Sequence, residues 1–500
     1  MTHRVVGYEF LREQLNTTAF PLSRVAKVAS VTRVTPLQDY LAVPANVAPS
    51  GDAPLDHLQF ALKHEGLQLQ AAMLTLKKIA AEVVATAFAN SPSSAYLRQI
   101  AYLWEIVNGA PIEGAPPATG PYALLFDPKY FVTGKTQRNT RWRIDFNGIG
   151  SPQYCPTVRR TPSLQELLAS NIVAATKAFV SGLNPSVLDR AVRWTYLSET
   201  QGSYAIENER PTQDKAEAFA SLLARAHETE PVSEDYLVAL QTLAVANPVD
   251  KALQFRTEQN WLRNALPGSI GVTYLPPAPD QLMSVMEEIM ALANDQNSAL
   301  DPLIRGALVS FAFVFAHPFM DGNGRLSRFL FHKVVCANGR LPNGLVLPIS
   351  IAIKRHEDQY LQCLQSFSKP ARALWQVTAI DDVRIDARFT GEPEIYRYWD
   401  ATECVEFGLR MAREALVHDL QLESEFIQRF DVAFRAVNDA IDMNNNDLVF
   451  LVRSCLQNGL VLSKGRRKQL LARGHAAELL EQAERVINEA MAAGVDDGPN

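Results

Sequence analysis

The sequence predicts a mainly α-helical protein with small β additions. Three observations predict it. Apolar residues recur at helical spacing from Leu55 to Asn90 and again from Ser163 to residue 338. Alternating runs are short and confined to 122–126, 141–146 and 268–277. A last helical region runs from about 400 to 490, and no internal repeat is found.

Taken in order, residues 1–54 read as irregular, with Pro21, Pro36, Pro44, Pro49 and Pro54 as breakers. Helical spacing follows over 55–90, interrupted at Gly66, and a second helix is expected over 95–107. Residues 1–121 are thus expected to be an N-terminal helical region ending in a Pro/Gly-rich connector, 109–121. Residues 122–165 read as a small β-containing connector. Helices are then expected over 163–182, 185–200, 212–227, 233–246, 279–294, 301–316 and 325–338. The exception is 268–277, where Ile270, Val272 and Tyr274 alternate as in a β-hairpin or extended flap.

The chain has 500 residues, 47% apolar and 20% charged, with a formal net charge of −6. That length favours two or three domains. The acidic balance argues against a protein whose main work is wrapping nucleic acid. The five cysteines, Cys155, Cys336, Cys363, Cys404 and Cys455, lie far apart with no C-x-x-C spacing. A zinc site or disulfide framework is not expected, and a reducing cytoplasm is the expected location. Neither a signal-peptide core nor a bilayer-length apolar run is found, the most apolar stretch being only 308–315.

The stretch that carries chemistry is His317-Pro318-Phe319-Met320-Asp321-Gly322-Asn323-Gly324-Arg325-Leu326-Ser327-Arg328. Asp301-Pro302 makes a good cap for the apolar helix before it. Gly322, Asn323 and Gly324 precede the next helix, where main-chain N–H groups form an anion nest backed by the helix dipole. Arg325 and Arg328 are three apart, so they share a helix face and suit bidentate phosphate binding. Asp321 supplies a hard oxygen ligand of the kind Mg²⁺ takes. His317 is an imidazole able to accept a proton from an attacking hydroxyl. Together these describe phosphoryl or nucleotidyl transfer. A calcium loop is excluded because Leu326 stands where glycine is needed. Gly134-Lys135-Thr136 is no phosphate loop, because Lys129 replaces the first glycine.

This segment resembles the signature of the Fic family, H-x-F-x-D/E-G-N-G-R-x-x-R. The resemblance implies a Fic-type helical core with a β-hairpin flap over 166–395, plus N-terminal α/β additions and a helical C-terminal region, 396–500. It implies a protein adenylyltransferase that moves AMP from ATP, with Mg²⁺, onto a Ser, Thr or Tyr hydroxyl of a target protein or of itself. His317 would be the general base and Asp321 the metal ligand. Gly322, Asn323 and Gly324 would cradle the α- and β-phosphates, Arg325 would brace the chain, and Arg328 would meet the γ-phosphate. Phe319 would anchor the loop. Relatives that transfer phosphate instead carry lysine at the position of Gly324, so glycine favours AMP transfer.

Ser203-Tyr204-Ala205-Ile206-Glu207-Asn208 resembles the family's inhibitory motif, S/T-x-x-x-E-G/N. The resemblance implies that Glu207 pairs with Arg328 in place of the γ-phosphate and that Ser203 fixes the glutamate. Phe255 to Trp261 resembles the family's R-x-x-Q-N-W segment leading into the flap, 269–274, which pairs with the target's extended segment. Two other readings stay open: removal of AMP through a water held by Glu207, and an ATP-sensing, DNA-binding regulator or toxin–antitoxin component. The second draws on Asp447–Leu456 and the basic run Ser463–Lys468, a poor match to the winged helix that ends many family members.

Overall fold

The computed structural model describes residues 4–22, 24–245, 250–266, 268–296, 298–342, 344–381 and 384–493. Residue 246, the expected end of the helix over 233–246, lies outside them, as does the extreme C-terminus of the region 396–500.

The N-terminal stretch is a small sheet, where the sequence suggested irregular chain. Strands β1 (Val5–Val6), β2 (Val25–Val28), β3 (Thr35–Pro36) and β4 (Tyr40–Val43) take the order β1-β2-β4-β3. β2 and β4 are parallel, with Val25 opposite Tyr40, and the outer pairs are antiparallel. Pro36 is tolerated because β3 is an edge strand, where no ladder N–H is needed. Helix α1 (Tyr8–Gln14) follows β1, and Val6, Ala26, Leu41 and Val43 pack on Phe60 of α2 (Pro54–His64). Helices α3 (Leu69–Leu76), α4 (Ala81–Asn90) and α5 (Ala95–Asn108) come next. Strands β5 (Ala123–Leu124), β6 (Gln137–Asn139) and β7 (Ile144–Phe146) form a second sheet.

The helix expected over 163–182 is two, α6 (Pro162–Ala169) and α7 (Ile172–Ser181), broken at the left-handed Asn171 (φ 42°). Helix α8 runs over Pro185–Ile206, past the expected end at residue 200. Gly202 does not break it; a Cβ there would lie 2.5 Å from the Ile351 nitrogen, so the glycine serves close packing. Then come α9 (Gln213–Ala224), α10 (Glu234–Ala244), β8 (Leu262–Arg263), β9 (Val272–Tyr274) and α11 (Pro279–Asn294). β8 and β9 pair antiparallel, which makes the expected flap a two-stranded ribbon.

Helix α12 (Pro302–Ala316) is capped by Asp301 on the Leu303 N–H (2.8 Å) and buries Leu303, Ile304, Leu308, Phe311, Phe313 and Phe315. Helix α13 (Asn323–Cys336) begins two residues before the expected start, so Asn323 and Gly324 belong to its first turn. Helices α14 (Ile349–Arg355) and α15 (Glu357–Ala373) lead to a hairpin missed in the sequence, β10 (Trp375–Ala379) with β11 (Ile385–Phe389). One continuous core joins Leu58, Trp142, Phe313 and Phe407, so the N-terminal and connector regions pack on the α12–α13 helices.

After α16 (Thr402–Glu414) and a π-helical stretch, 415–421, come α17 (Leu422–Ala440), α18 (Asn445–Gln457), α19 (Lys464–Ala472) and α20 (Ala477–Ala493). These last four bury their own core around Val437, Leu451 and Ile487. The basic run of α19 is partly neutralised: Arg467 pairs with Glu484 (2.6 Å), and Arg466 lies over the Phe450 ring. No helix among the described residues is long and apolar enough to cross a membrane.

Candidate functional site

The site forms where α12 ends and α13 begins. His317 terminates α12 in the left-handed region (φ 49°), which turns the chain sharply into Pro318. Its ring is buried, at 9% exposure, and Nδ1 lies 3.2 Å from the Val314 carbonyl. A carbonyl only accepts, so Nδ1 carries the proton and Nε2 keeps its lone pair. Burial pulls the imidazole down to about 4, which keeps it neutral near pH 7.

Phe319 is buried against Phe255 (ring centroids 5.5 Å apart) and Phe313, as the expected loop anchor. Asn323 is clasped to it: its Oδ1 accepts from the Phe319 N–H (3.0 Å) and its Nδ2 donates to the Phe319 carbonyl (2.7 Å). The Asn323 side chain therefore shapes the loop, and only its main chain is left to face an anion. Gly322 is left-handed (φ 88°), and no side chain caps α13. Asp321 accepts from the Gly322 N–H (2.7 Å), lies 3.5 Å from Arg325 Nη2, and its side chain is half-exposed.

Glu207 ends α8, and the following Asn208 is left-handed (φ 56°), the conformation that lets Gly or Asn close a helix. Its carboxylate lies between the two arginines. Oε1 accepts from Arg328 Nη2 at 2.7 Å, and Oε2 lies 2.9 Å from Arg325 Nε, an ionic contact outside hydrogen-bond geometry. Gly324 sits under it, where a Cβ would come 2.5 Å from Oε1. Ser203 differs from expectation: its Oγ accepts from Arg328 Nε (2.7 Å), so it orients the arginine rather than the glutamate. Both guanidiniums are buried, so solvent screens these pairs little.

The fold thus brings together His317, Asp321, Gly322, Asn323, Gly324, Arg325, Arg328, Ser203 and Glu207. Other residues complete the arrangement without having been assigned roles from the sequence. Arg256 donates to the His317 carbonyl through Nε (2.9 Å) and to the Pro318 carbonyl through its N–H (2.8 Å). Asn260 donates to the Phe319 carbonyl (2.8 Å). The R-x-x-Q-N-W segment is therefore a clamp on the loop as well as a lead into the ribbon. Gln241 donates to the Asp321 carbonyl (3.2 Å), and Arg325 lies over the Tyr204 ring (5.2 Å). The spacing of Arg256 and Asn260 is visible in the sequence; their acceptors are not.

Comparison with known proteins bears on the same region. Residues 231–335 match the model of the Fic/DOC family. The protein adenylyltransferase fic-1 of Caenorhabditis elegans is 29% identical over 130 residues, 26% of this chain and 23% of that protein. The protein adenylyltransferase Fic of Drosophila mojavensis is 32% identical over 93 residues, 18% of this chain and 17% of that protein. The chain thus spans about a quarter or less of the length of these relatives. Among solved structures, a Fic family protein from Desulfovibrio desulfuricans G20 superposes with a TM-score of 0.39 at 20% identity, over 61% of this chain and 90% of that one. The matched stretch holds the His317 loop and both arginines, so the part of the chain that carries the site is similar to the Fic/DOC family.

Proposed function

We propose that this protein transfers AMP from Mg-ATP to a Ser, Thr or Tyr hydroxyl of a target protein, and that Glu207 restrains it. One observation carries the reading: a carboxylate lies between two buried arginines at an uncapped helix N-terminus, beside a neutral buried histidine. That is an anion site with a proton acceptor next to it.

His317 Nε2 takes the proton of the target hydroxyl. The hydroxyl oxygen forms a bond to the α-phosphorus of ATP, the bond to the bridging oxygen breaks, and pyrophosphate leaves. The first-turn N–H groups of α13 hold the phosphates, and Arg325 and Arg328 take the charge of the outer ones. Among the described residues no cluster of three or more His, Cys, Asp or Glu is placed to hold a metal. Asp321 fits the usual Mg²⁺ pattern of one or two carboxylates plus substrate phosphates. Bound Mg²⁺ would neutralise phosphate charge. Glu207 competes with the γ-phosphate for Arg328, so ATP binds with its α-phosphate out of line. The ribbon β8–β9 would receive the target segment by strand addition.

The test is label transfer from α-labelled ATP with Mg²⁺, to itself and to lysate proteins. Glu207→Gly is expected to raise incorporation about tenfold or more, since freeing a charged partner is worth at least ~1.4 kcal/mol. His317→Ala in that background is expected to lower it about 10²–10⁴-fold. Equal labelling of Glu207→Gly and the parent chain rules out the restraint. Undiminished labelling after loss of His317 rules out the base.

A further inference from the structure

Glu199 lies two turns before Glu207 on α8, and it is fully buried. Its carboxylate accepts from the Ser350 N–H (2.8 Å) and from the Ser350 hydroxyl. Its Oε1 also lies 2.9 Å from His332 Nε2, a close polar contact outside hydrogen-bond geometry. Ser350 belongs to the first turn of α14, which no residue of its own caps, so Glu199 supplies the negative charge that this helix end favours. A charge this deep survives only where such partners surround it.

The spacing gives these contacts their meaning. Glu199, Ser203 and Glu207 recur every four residues on one face of α8. Arg325, Arg328 and His332 recur at three and four on one face of α13. The pairs run in opposite directions: Glu207 with Arg325 and Arg328, Ser203 with Arg328, Glu199 with His332. The two helices thus meet antiparallel along a ladder of polar rungs. The outer rung borders the site, and Glu207 there is a quarter exposed. The innermost rung, Glu199 with His332 and Ser350, is closed to water. Beside it α8 touches the backbone of α14 at Gly202.

We infer that Glu199 and His332 are positioning residues that set the register of α8 on α13, and so hold Glu207 against the two arginines. The inference rests on the restraint proposed above. Glu207 meets its two arginines from the end of α8, a quarter exposed, so its aim depends on where that helix sits. The buried rung two turns back is the fixed point from which it is aimed.

The experiment compares Glu199→Gln, His332→Leu and His332→Gln, each with Glu207 present and in the Glu207→Gly background. Labelled AMP incorporation is one readout; hydrogen exchange of the amides of 203–209 is the other. With Glu207 present, Glu199→Gln and His332→Leu are expected to raise incorporation about five- to thirtyfold, the shift that one buried contact gives a two-state equilibrium. In the Glu207→Gly background they are expected to change it less than about twofold, since coupled residues are non-additive. His332→Gln keeps a donor near the Nε2 position and is expected to restore the restraint. Exchange at 203–209 is expected to quicken in Glu199→Gln while α9 stays unchanged.

Equal effects in both backgrounds, or unchanged exchange at 203–209, overturn the inference. If Glu207→Gly itself gains nothing, the restraint has failed, and the exchange readout still decides the anchor. Should Glu199→Gln fail to fold, by circular dichroism and gel filtration, Ser350→Ala and His332→Leu carry the same test.

Discussion

The His317 loop and the ribbon β8–β9 flank one site and are built in opposite ways. In the loop, main-chain groups are tied from outside: Arg256 holds the carbonyls of His317 and Pro318, and Asn260 and Asn323 hold that of Phe319. Buried donors leave such a loop one conformation. The ribbon β8–β9 is fastened along its second strand, where Arg372 donates to the Ser269 (3.3 Å) and Val272 (2.9 Å) carbonyls and the Tyr274 hydroxyl to that of Phe315 (2.6 Å), while apolar side chains near its tip stand free. Its tip is bare: Ile270 is 79% exposed and Leu266 50%. Chemistry at a phosphorus needs atoms fixed closely, whereas recognition of an extended partner needs an apolar edge left open.

The largest break in that contrast is expected from Arg256→Ala. It removes the side-chain donors to the His317 and Pro277 carbonyls at once, though the main-chain N–H to Pro318 stays, and it leaves a buried hole. AMP transfer is expected to fall about 10²-fold, the cost of a misplaced reacting group, with a lowered melting temperature. Near-normal transfer measured in Arg256→Ala would show that the loop holds itself. Ile270→Ser is the opposite case. It is expected to raise KM for a protein target a few-fold, leaving KM for ATP and the melting temperature unchanged, because an exposed side chain contributes little to the fold. A drop in stability would mean that the tip is structural.

The smallest effect concerns pH. Burial holds the His317 imidazole down to about 4, below the ordinary 6.5. The unfolded chain therefore binds more protons between those values, so stability at this residue is complete above about 6.5 and is lost as pH falls toward 4. With His317 as the proposed base, transfer would need the neutral ring, so the acid limb of kcat/KM is expected near 4, not 6.5. A limb at 6.5 would show that the ring is open to water in the free protein.

How much was legible follows from how far apart the partners lie. Asp301 as a cap, Phe319 as an anchor and Gly322 at a turn all act within a few residues, and the sequence displays each of them. The end of α8 was misjudged because Gly202 looks like a stop until Ile351 is seen against it. The resemblance to the inhibitory motif assigned Ser203 to Glu207, yet it serves Arg328, which comes 125 residues later. The sheet of residues 5–43 was missed because prolines read as breakers, and an edge strand has no use for the N–H that Pro36 lacks.

The sequence by itself showed most of the helices over 163–338 and 400–490 and the cap and turn signals around 317–328, because periodicity and short-range turns are local properties of the chain. Only the tertiary structure decided that Glu207 also faces Arg325, that Ser203 serves Arg328, which donors lock the His317 loop, and that Glu199 sits on His332. Those are contacts between distant segments, chosen by how the buried faces of α8, α12, α13 and α14 fit together, and residue order does not encode them in any short window.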